Sequence, residues 1–215
     1  MTDMPVFGIL CCGKDISELG QSVKCCGRIT QIMKDSGYAL GGYHTAITKR
    51  DDAGSGKMCA DKLKHLCRTS DVVFTVGSDG FSKDDIIPDI TMKICDSEEV
   101  FFTSNLCGLS NIGNYDKSNA GFKKEKGIFP PSRSKAGFLA GCLVLNIRND
   151  MDFISSVLPG LIPSVSFAAA CACGRDADES KKIQCSLEAF CSVSLAKNFK
   201  YNFFDKIQNM ETNNS

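Results

Sequence analysis

The residues best equipped for chemistry lie in one short stretch, Thr75 to Thr91, where the turn Gly77-Ser78-Asp79-Gly80 is followed closely by Asp84 and Asp85. Gly77 and Gly80 let a backbone turn sharply and approach a ligand, and the exposed amides of such a turn favour an anion such as phosphate. Asp79, Asp84 and Asp85 set carboxylates beside those amides. Carboxylates tolerate a nearby phosphate chiefly when a divalent cation sits between them, so Mg2+ is the implied mediator. The plainer alternative is an ordinary strand-to-helix turn in which Asp84 or Asp85 only caps the helix. Spacing alone leaves both open.

Other reactive residues carry weaker signals. Cys171-Ala172-Cys173 with Cys185 and Cys191 would supply four thiolates for zinc or an iron–sulfur cluster. Their intervals of one, eleven and five residues match no compact metal site, and unpaired structural thiols are the simpler reading. His44 and His65 are the two imidazoles, on separate expected elements, which gives a Cys-His or Ser-His nucleophile little support. Arg133 between Ser132 and Ser134 either faces the ligand or caps a strand entrance. Lys123-Lys124-Glu125-Lys126 reads as a solvated turn.

These residues need a scaffold, and the chain supplies an alternating one. Val6 to Cys12 is a nearly continuous apolar run ending at Gly13, as in a strand buried on both faces. From Ser22 to Ser36 the positions Val23, Cys26, Ile29, Ile32 and Met33 recur at three and four, and Gly37 supplies a C-terminal stop. Tyr38 to Thr48 reads as a second strand and Ser55 to Arg68 as a second helix. Asp71 to Val76 is the strongest strand signal and runs straight into Gly77. Ile86, Ile90 and Ile94 then indicate a helix entered near Asp85.

Val100 to Thr103 reads as a strand, and Ser104 to Pro131, rich in Gly, Asn, Ser and Lys, as a hairpin or long surface excursion. Cys142 to Ile147 is another buried strand, followed by core-covering segments 151–158 and 161–170 broken at Pro159 and Pro163. Beyond Arg175, Leu187, Phe190, Cys191 and Leu195 form one helical stripe. The dense aromatics Phe199, Tyr201, Phe203 and Phe204 suit packing on the main domain or a neighbouring subunit. The expected fold is α/β, a three-layer sandwich around a mostly parallel sheet, with an extended excursion over 97–131 and a C-terminal helix. Residues 1–174 form the domain and 175–215 the helical tail.

Composition sets outer bounds. Of 215 residues, 43% are apolar, enough for one well-buried core. The 25 basic and 25 acidic side chains cancel, so the field that collects along a nucleic-acid backbone is missing. The opening residues carry Asp3 and no basic residue, and no run approaches the roughly 20 apolar residues of a membrane crossing, which reads as a soluble cytoplasmic protein. Thirteen cysteines, an odd number including the vicinal pairs Cys11-Cys12 and Cys25-Cys26, suit reduced thiols used mostly as core filler.

Asp71 to Thr91 resembles the segment of the MoaB/Mog molybdopterin-binding family that follows an apolar strand with T-G-G-T-G-F-x-x-R-D-x-T-P-E-A-T. Gly77, Gly80, Phe81, Asp85, Pro88 and Thr91 match it, and Asp89 is a conservative substitute. Ser132-Arg133-Ser134-Lys135-Ala136-Gly137, running on to Leu143-Val144-Leu145-Asn146, is similar to the family's S-R-x-x-A-G block and its L-I-I-N strand. The opening Phe7-Gly8-Ile9-Leu10 agrees as well. The resemblance spans about residues 5 to 170, with a poor fit over 97–131.

What the resemblance implies is a domain that assembles as a homotrimer or hexamer, binds molybdopterin and transfers AMP to it from Mg-ATP. By position, Asp85 takes the place of the family's magnesium-linked acid and is the implied catalytic residue, with Asp79 as a second metal ligand. Gly77, Ser78, Asp79, Gly80, Asp84, Arg133, Asn146 and Arg148 are the implied ligand-binding set. Departures are specific. Ser78 replaces the family's second glycine, Asp79 its threonine and Asp84 its arginine. Gly13-Lys14 stands where the family has S-D, and Arg148-Asn149-Asp150-Met151-Asp152 where it has P-G-S-P-K. Two added acids, one lost base and a lost glycine turn favour the alternative of a non-catalytic member, a small-ligand binding or assembly module.

Overall fold

Alternation along each strand decides which layer its side chains enter. The computed structural model describes residues 5–109 and 132–174. Along β1 (Val6–Gly13), Phe7, Ile9 and Cys11 enter one apolar cluster while Leu10 and Cys12 enter another. β3 (Val72–Val76) and β6 (Cys142–Ile147) split the same way, with Phe74 and Leu145 on the first side, Val73 and Val144 on the second. Strands buried on both faces need no polar alternation, which is why they read as continuous apolar runs.

The six-stranded sheet has the order β2-β1-β3-β6-β5-β4, where β2 is Ala39–Ile47, β4 Ser97–Glu98 and β5 Ala136–Leu139. β2, β1, β3 and β6 run parallel, and β5 and β4 continue the sheet antiparallel. The first face is covered by α1 (Ile16–Asp35), α4 (Val100–Leu109), α5 (Met151–Ser156) and α6 (Leu158–Ala172), the second by α2 (Ala53–Cys67) and α3 (Ile87–Ile94). This is the expected three-layer α/β sandwich. No helix among the described residues is long and apolar enough to cross a membrane.

Several boundaries differ from the sequence reading. α1 begins at Ile16, because Asp15 accepts the Glu18 amide at 2.8 Å and Glu18 accepts the Lys14 amide at 3.1 Å, a reciprocal cap that starts the helix ahead of its apolar stripe. It stops where expected, at Gly37, whose φ is 84°. Val100 to Thr103 is the first turn of α4, not a strand. A short apolar run is ambiguous between the two, and here Phe102 and Leu106, four apart, are buried while Val100 and Phe101 are exposed. The edge strand is instead Ser97–Glu98, paired with Gly137 and Phe138.

β5 has no clear strand signal in the sequence. It forms a hairpin with β6 through Ala140 and Gly141, both at positive φ (51° and 84°), the geometry of a two-residue type I′ turn. Pro163 does not break α6 either. A proline removes one helical hydrogen bond, and the burial of Leu158, Leu161, Ile162, Val165 and Ala169 on one side outweighs that loss. The remainder of the 97–131 excursion, the tail helix, Cys185, Cys191 and the Lys123 to Lys126 turn lie outside the described residues. His44 and His65, far apart in sequence, pack with ring centroids 5.4 Å apart and planes tilted by 56°. Burial and then the neighbouring imidazole hold His44 below its ordinary value.

Candidate functional site

Three adjacent parallel strands, β1, β3 and β6, end side by side, and each is followed at once by a polar segment. Lys14 and Asp15 follow β1, Asp79 and Gly80 follow β3, and Arg148, Asn149 and Asp150 follow β6. Together with Ser17, Glu18 and Gln21 from the first turns of α1, and Asp85, they line a cavity of about 520 Å³. The carboxyl ends of parallel strands are where ligands of open α/β sheets bind.

The turn after β3 is built with two left-handed residues, Gly77 at φ 86° and Ser78 at φ 57°. Gly77 donates its amide to the Ile147 carbonyl at 3.1 Å, fixing the turn to the end of β6. Ser78 donates its hydroxyl to the Asp84 carbonyl at 3.0 Å, closing the loop on itself. Asp85 folds back so that its Oδ2 accepts the Ser82 amide at 2.8 Å. A Cβ on Gly80 would lie 2.7 Å from that same oxygen, so glycine there admits the carboxylate.

Asp79 is held from behind by the segment before β5. Its Oδ2 accepts the Ser132 hydroxyl at 2.6 Å and the Ser134 hydroxyl at 3.3 Å, and its carbonyl accepts the Arg133 amide at 2.9 Å. Burial pushes its carboxyl above the ordinary value, while the Ser132 hydrogen bond, the Arg148 charge and the Ser134 hydrogen bond pull it back. Charge on the cavity wall is unbalanced. Lys14 and Arg148 face Asp15, Glu18, Asp79, Asp85 and Asp150. Asp15 and Asp150 are already occupied as caps of α1 and α5, and Lys14 lies 3.7 Å from Glu18.

No family model matches this chain, and no curated protein matches it. Solved structures do. The molybdopterin biosynthesis enzyme MoaB from Thermus thermophilus superposes with a TM-score of 0.62 at 18% identity, covering 80% of this chain and 98% of its own. The tungsten cofactor synthesizing protein MoaB from Pyrococcus furiosus gives 0.57 at 16% identity, with 80% and 99% covered. The molybdopterin biosynthesis Mog protein from Mycobacterium ulcerans gives 0.55 at 16%, with 81% and 100% covered. The chain has the MoaB/Mog fold.

Within this MoaB/Mog scaffold the residues singled out from sequence separate into two groups. Asp79, Gly80, Asp85 and Arg148 line the cavity. Gly77 and Ser78 shape the turn from beneath. Asp84 points outward, accepting the Arg50 amide at 3.1 Å. Arg133 pairs with Asp89 and donates to the Asp85 carbonyl at 3.3 Å, so it braces the loop from outside the cavity lining. Asn146 is fully buried in the core, its amide donating to Thr75 and Thr91 and its oxygen accepting the Lys135 amide. Sequence reasoning did not single out Asp15, Ser17, Glu18 and Gln21, although the Asp15-x-x-Glu18 cap was a readable sign that α1 starts at the cavity.

The hard oxygen donors fit magnesium, which is commonly held by one or two carboxylates with water and substrate phosphates completing its shell. Asp79 and Asp85 both line the cavity, with Asp85 Oδ2 beside Gly80. No cluster of three or more metal-ligating side chains is formed among the described residues, so a phosphate would have to supply the remaining ligands.

The turn's own geometry can be tested at Ser78. This residue occupies a left-handed conformation that costs a non-glycine residue about 1 kcal/mol. Ser78→Ala keeps that cost and loses the hydrogen bond, so it should destabilise by about 1 kcal/mol. Ser78→Gly loses the bond but relieves the backbone and should fall within about 0.5 kcal/mol of the parent. Equal losses in urea unfolding would show that the strain is not felt.

Asp79 gives a pH signature. A carboxyl raised above 3.8 in the native state is stabilising while protonated, and that contribution is lost as pH rises through the native value. Asp79→Asn should therefore raise the urea midpoint around pH 8 and lose that advantage around pH 4. A midpoint lowered equally at both values would mean that the buried charge is not a burden.

Proposed function

We propose that this chain binds a phosphorylated pterin of the molybdopterin type and serves molybdenum cofactor biosynthesis. The observation that carries the reading is a polar cavity at the carboxyl ends of β1, β3 and β6, floored by the Gly77 to Gly80 turn and walled by Asp79 and Asp85. The structural neighbours named as molybdopterin biosynthesis proteins support it by fold.

In the catalytic form of this proposal, the pterin phosphate oxygen attacks the α-phosphorus of ATP, a phosphoanhydride bond forms, and pyrophosphate leaves. Bound magnesium would neutralise phosphate charge beside the acidic wall, held by Asp85 and Asp79. The chain's own contribution is positioning. The Asp79-Gly80 end of the turn and the start of α1 face the anionic oxygens, Ser132 and Ser134 keep Asp79 oriented, and Lys14 and Arg148 add positive charge to the cavity lining. Assembly as a trimer or hexamer in the cytoplasm belongs to the same proposal.

A second reading, a binding module without turnover, is favoured by the wall's composition. Among the described residues, five acidic side chains against two basic ones line the wall, and with Ser78 in a glycine-like conformation they make a weaker cradle for a bare polyphosphate. Calorimetry with molybdopterin, with and without Mg-ATP, separates the two. AMP transfer abolished by Asp85→Asn supports the enzyme, whereas magnesium-dependent binding without transfer supports the module. No binding of molybdopterin in the presence of magnesium sinks both.

A further inference from the structure

α6 is apolar on two sides. Leu158, Leu161, Ile162, Val165 and Ala169 face the core. Ser164, Phe167, Ala168 and Cys171, at intervals of three, one and three, line a separate groove on the outside. Opposite them stand Phe101 and Phe138, and the groove encloses about 730 Å³. Phe101 is 56% exposed and Phe167 38%. A helix apolar on both sides is normally buried on both, and a contiguous exposed aromatic patch marks an interaction surface.

We propose that the chain's own tail, residues 187–204, docks in this groove. The wall of the groove is the last turn of α6, through Cys171 and Ala172, and the chain leaves that helix at Gly174, where φ is 66°. The tail therefore follows from the rim in sequence, and twelve residues, 175–186, can bridge at most about 40 Å. In a helix, Leu187, Phe190, Cys191 and Leu195 would share one face by their spacing, and Phe199, Tyr201, Phe203 and Phe204 follow in sequence.

Ser164, Ala168 and Cys171 are small enough to admit a closely packed helix, with Phe101 and Phe167 flanking its apolar stripe. Glu99, the one carboxylate lining the groove among the described residues, suits a tail carrying Lys197 and Lys200. Residues 110–131, the other stretch nearby in sequence, are dominated by Gly, Asn, Ser and Lys and lack such a stripe. Because the tail belongs to the same chain, its docking is intramolecular and is favoured over that of a second chain at ordinary concentrations.

The test uses the full chain and a short bismaleimide cross-linker, since exposed Cys171 sits on the groove and Cys191 on the tail stripe. The expected product is an intramolecular Cys171–Cys191 link, mapped by peptide mass, whose yield does not fall on dilution. Phe190→Asp with Leu195→Asp, in the full chain, should abolish the link and speed amide exchange over 97–102 and 164–172 about tenfold. Exchange over β1, β3 and β6 serves as the folding control, and Ser192→Asp, off the stripe, should leave the link intact. Links between chains that fade on dilution would assign the groove to a second copy. Links to 110–131, or groove exchange indifferent to the double substitution, would equally overturn the proposal.

Discussion

Gly77→Ala is expected to cost about 3 kcal/mol or more of folding stability. At φ 86° a side chain is strained wherever it points, and here it also has nowhere to go. The added carbon would lie 2.6 Å from the Cys12 carbonyl and 2.6 Å from the Ser22 hydroxyl. Ser22 can rotate, but the Cys12 carbonyl belongs to β1, paired on both sides in the middle of the sheet. Relief therefore requires β3 or its turn to shift, and the cavity floor shifts with it. Gly80→Ala is the contrast. Its Cβ would meet the end of the Asp85 side chain, which swings away at little cost in stability but leaves the cavity wall. Urea unfolding should place the two variants well apart, and a Gly77→Ala chain within about 1 kcal/mol of the parent would refute the account.

Asn146→Ala should destabilise by about 3 to 4 kcal/mol, because two buried threonine hydroxyls and one partly buried backbone amide lose their hydrogen bonds together. The Asn146 amide donates to Thr75 at 2.8 Å and Thr91 at 2.9 Å, and its oxygen accepts the Lys135 amide at 3.1 Å. One side chain thus joins β3, α3 and the segment that braces Asp79. The loss should be shared rather than additive. Combining Asn146→Ala with Thr75→Val should cost clearly less than the sum of the single changes, since the second removes a partner already abandoned. Full additivity in equilibrium unfolding would show that the three bonds are independent.

Much of the architecture was legible because its central strands are dry on both sides. β1, β3 and β6 appear as apolar runs, and Gly77 ends the clearest of them. Direction was harder. Val23 fits the spacing of the α1 stripe yet is 46% exposed, because the helix axis turns its face toward Ser22, Cys25, Cys26 and Ile29. Asn146 matches a family strand in position, but alternation along β6 sends it to the opposite side from Leu145 and Ile147, into the core. The brace formed by Ser132 and Ser134 joins positions more than fifty residues from Asp79, and no local pattern encodes such a contact. The β5–β6 hairpin escaped notice because Ala140 fills a turn position where Asn or Asp is the usual signal.

Among the described residues, seven cysteines are sealed beside the sheet, Cys11, Cys25 and Cys26 in one layer and Cys12, Cys59, Cys67 and Cys142 in the other. Each sulfur can be alkylated only when its own layer parts. Their labelling rates therefore act as two sets of native chronometers, timing separately how often each side of the molecule breathes, with no reporter group installed.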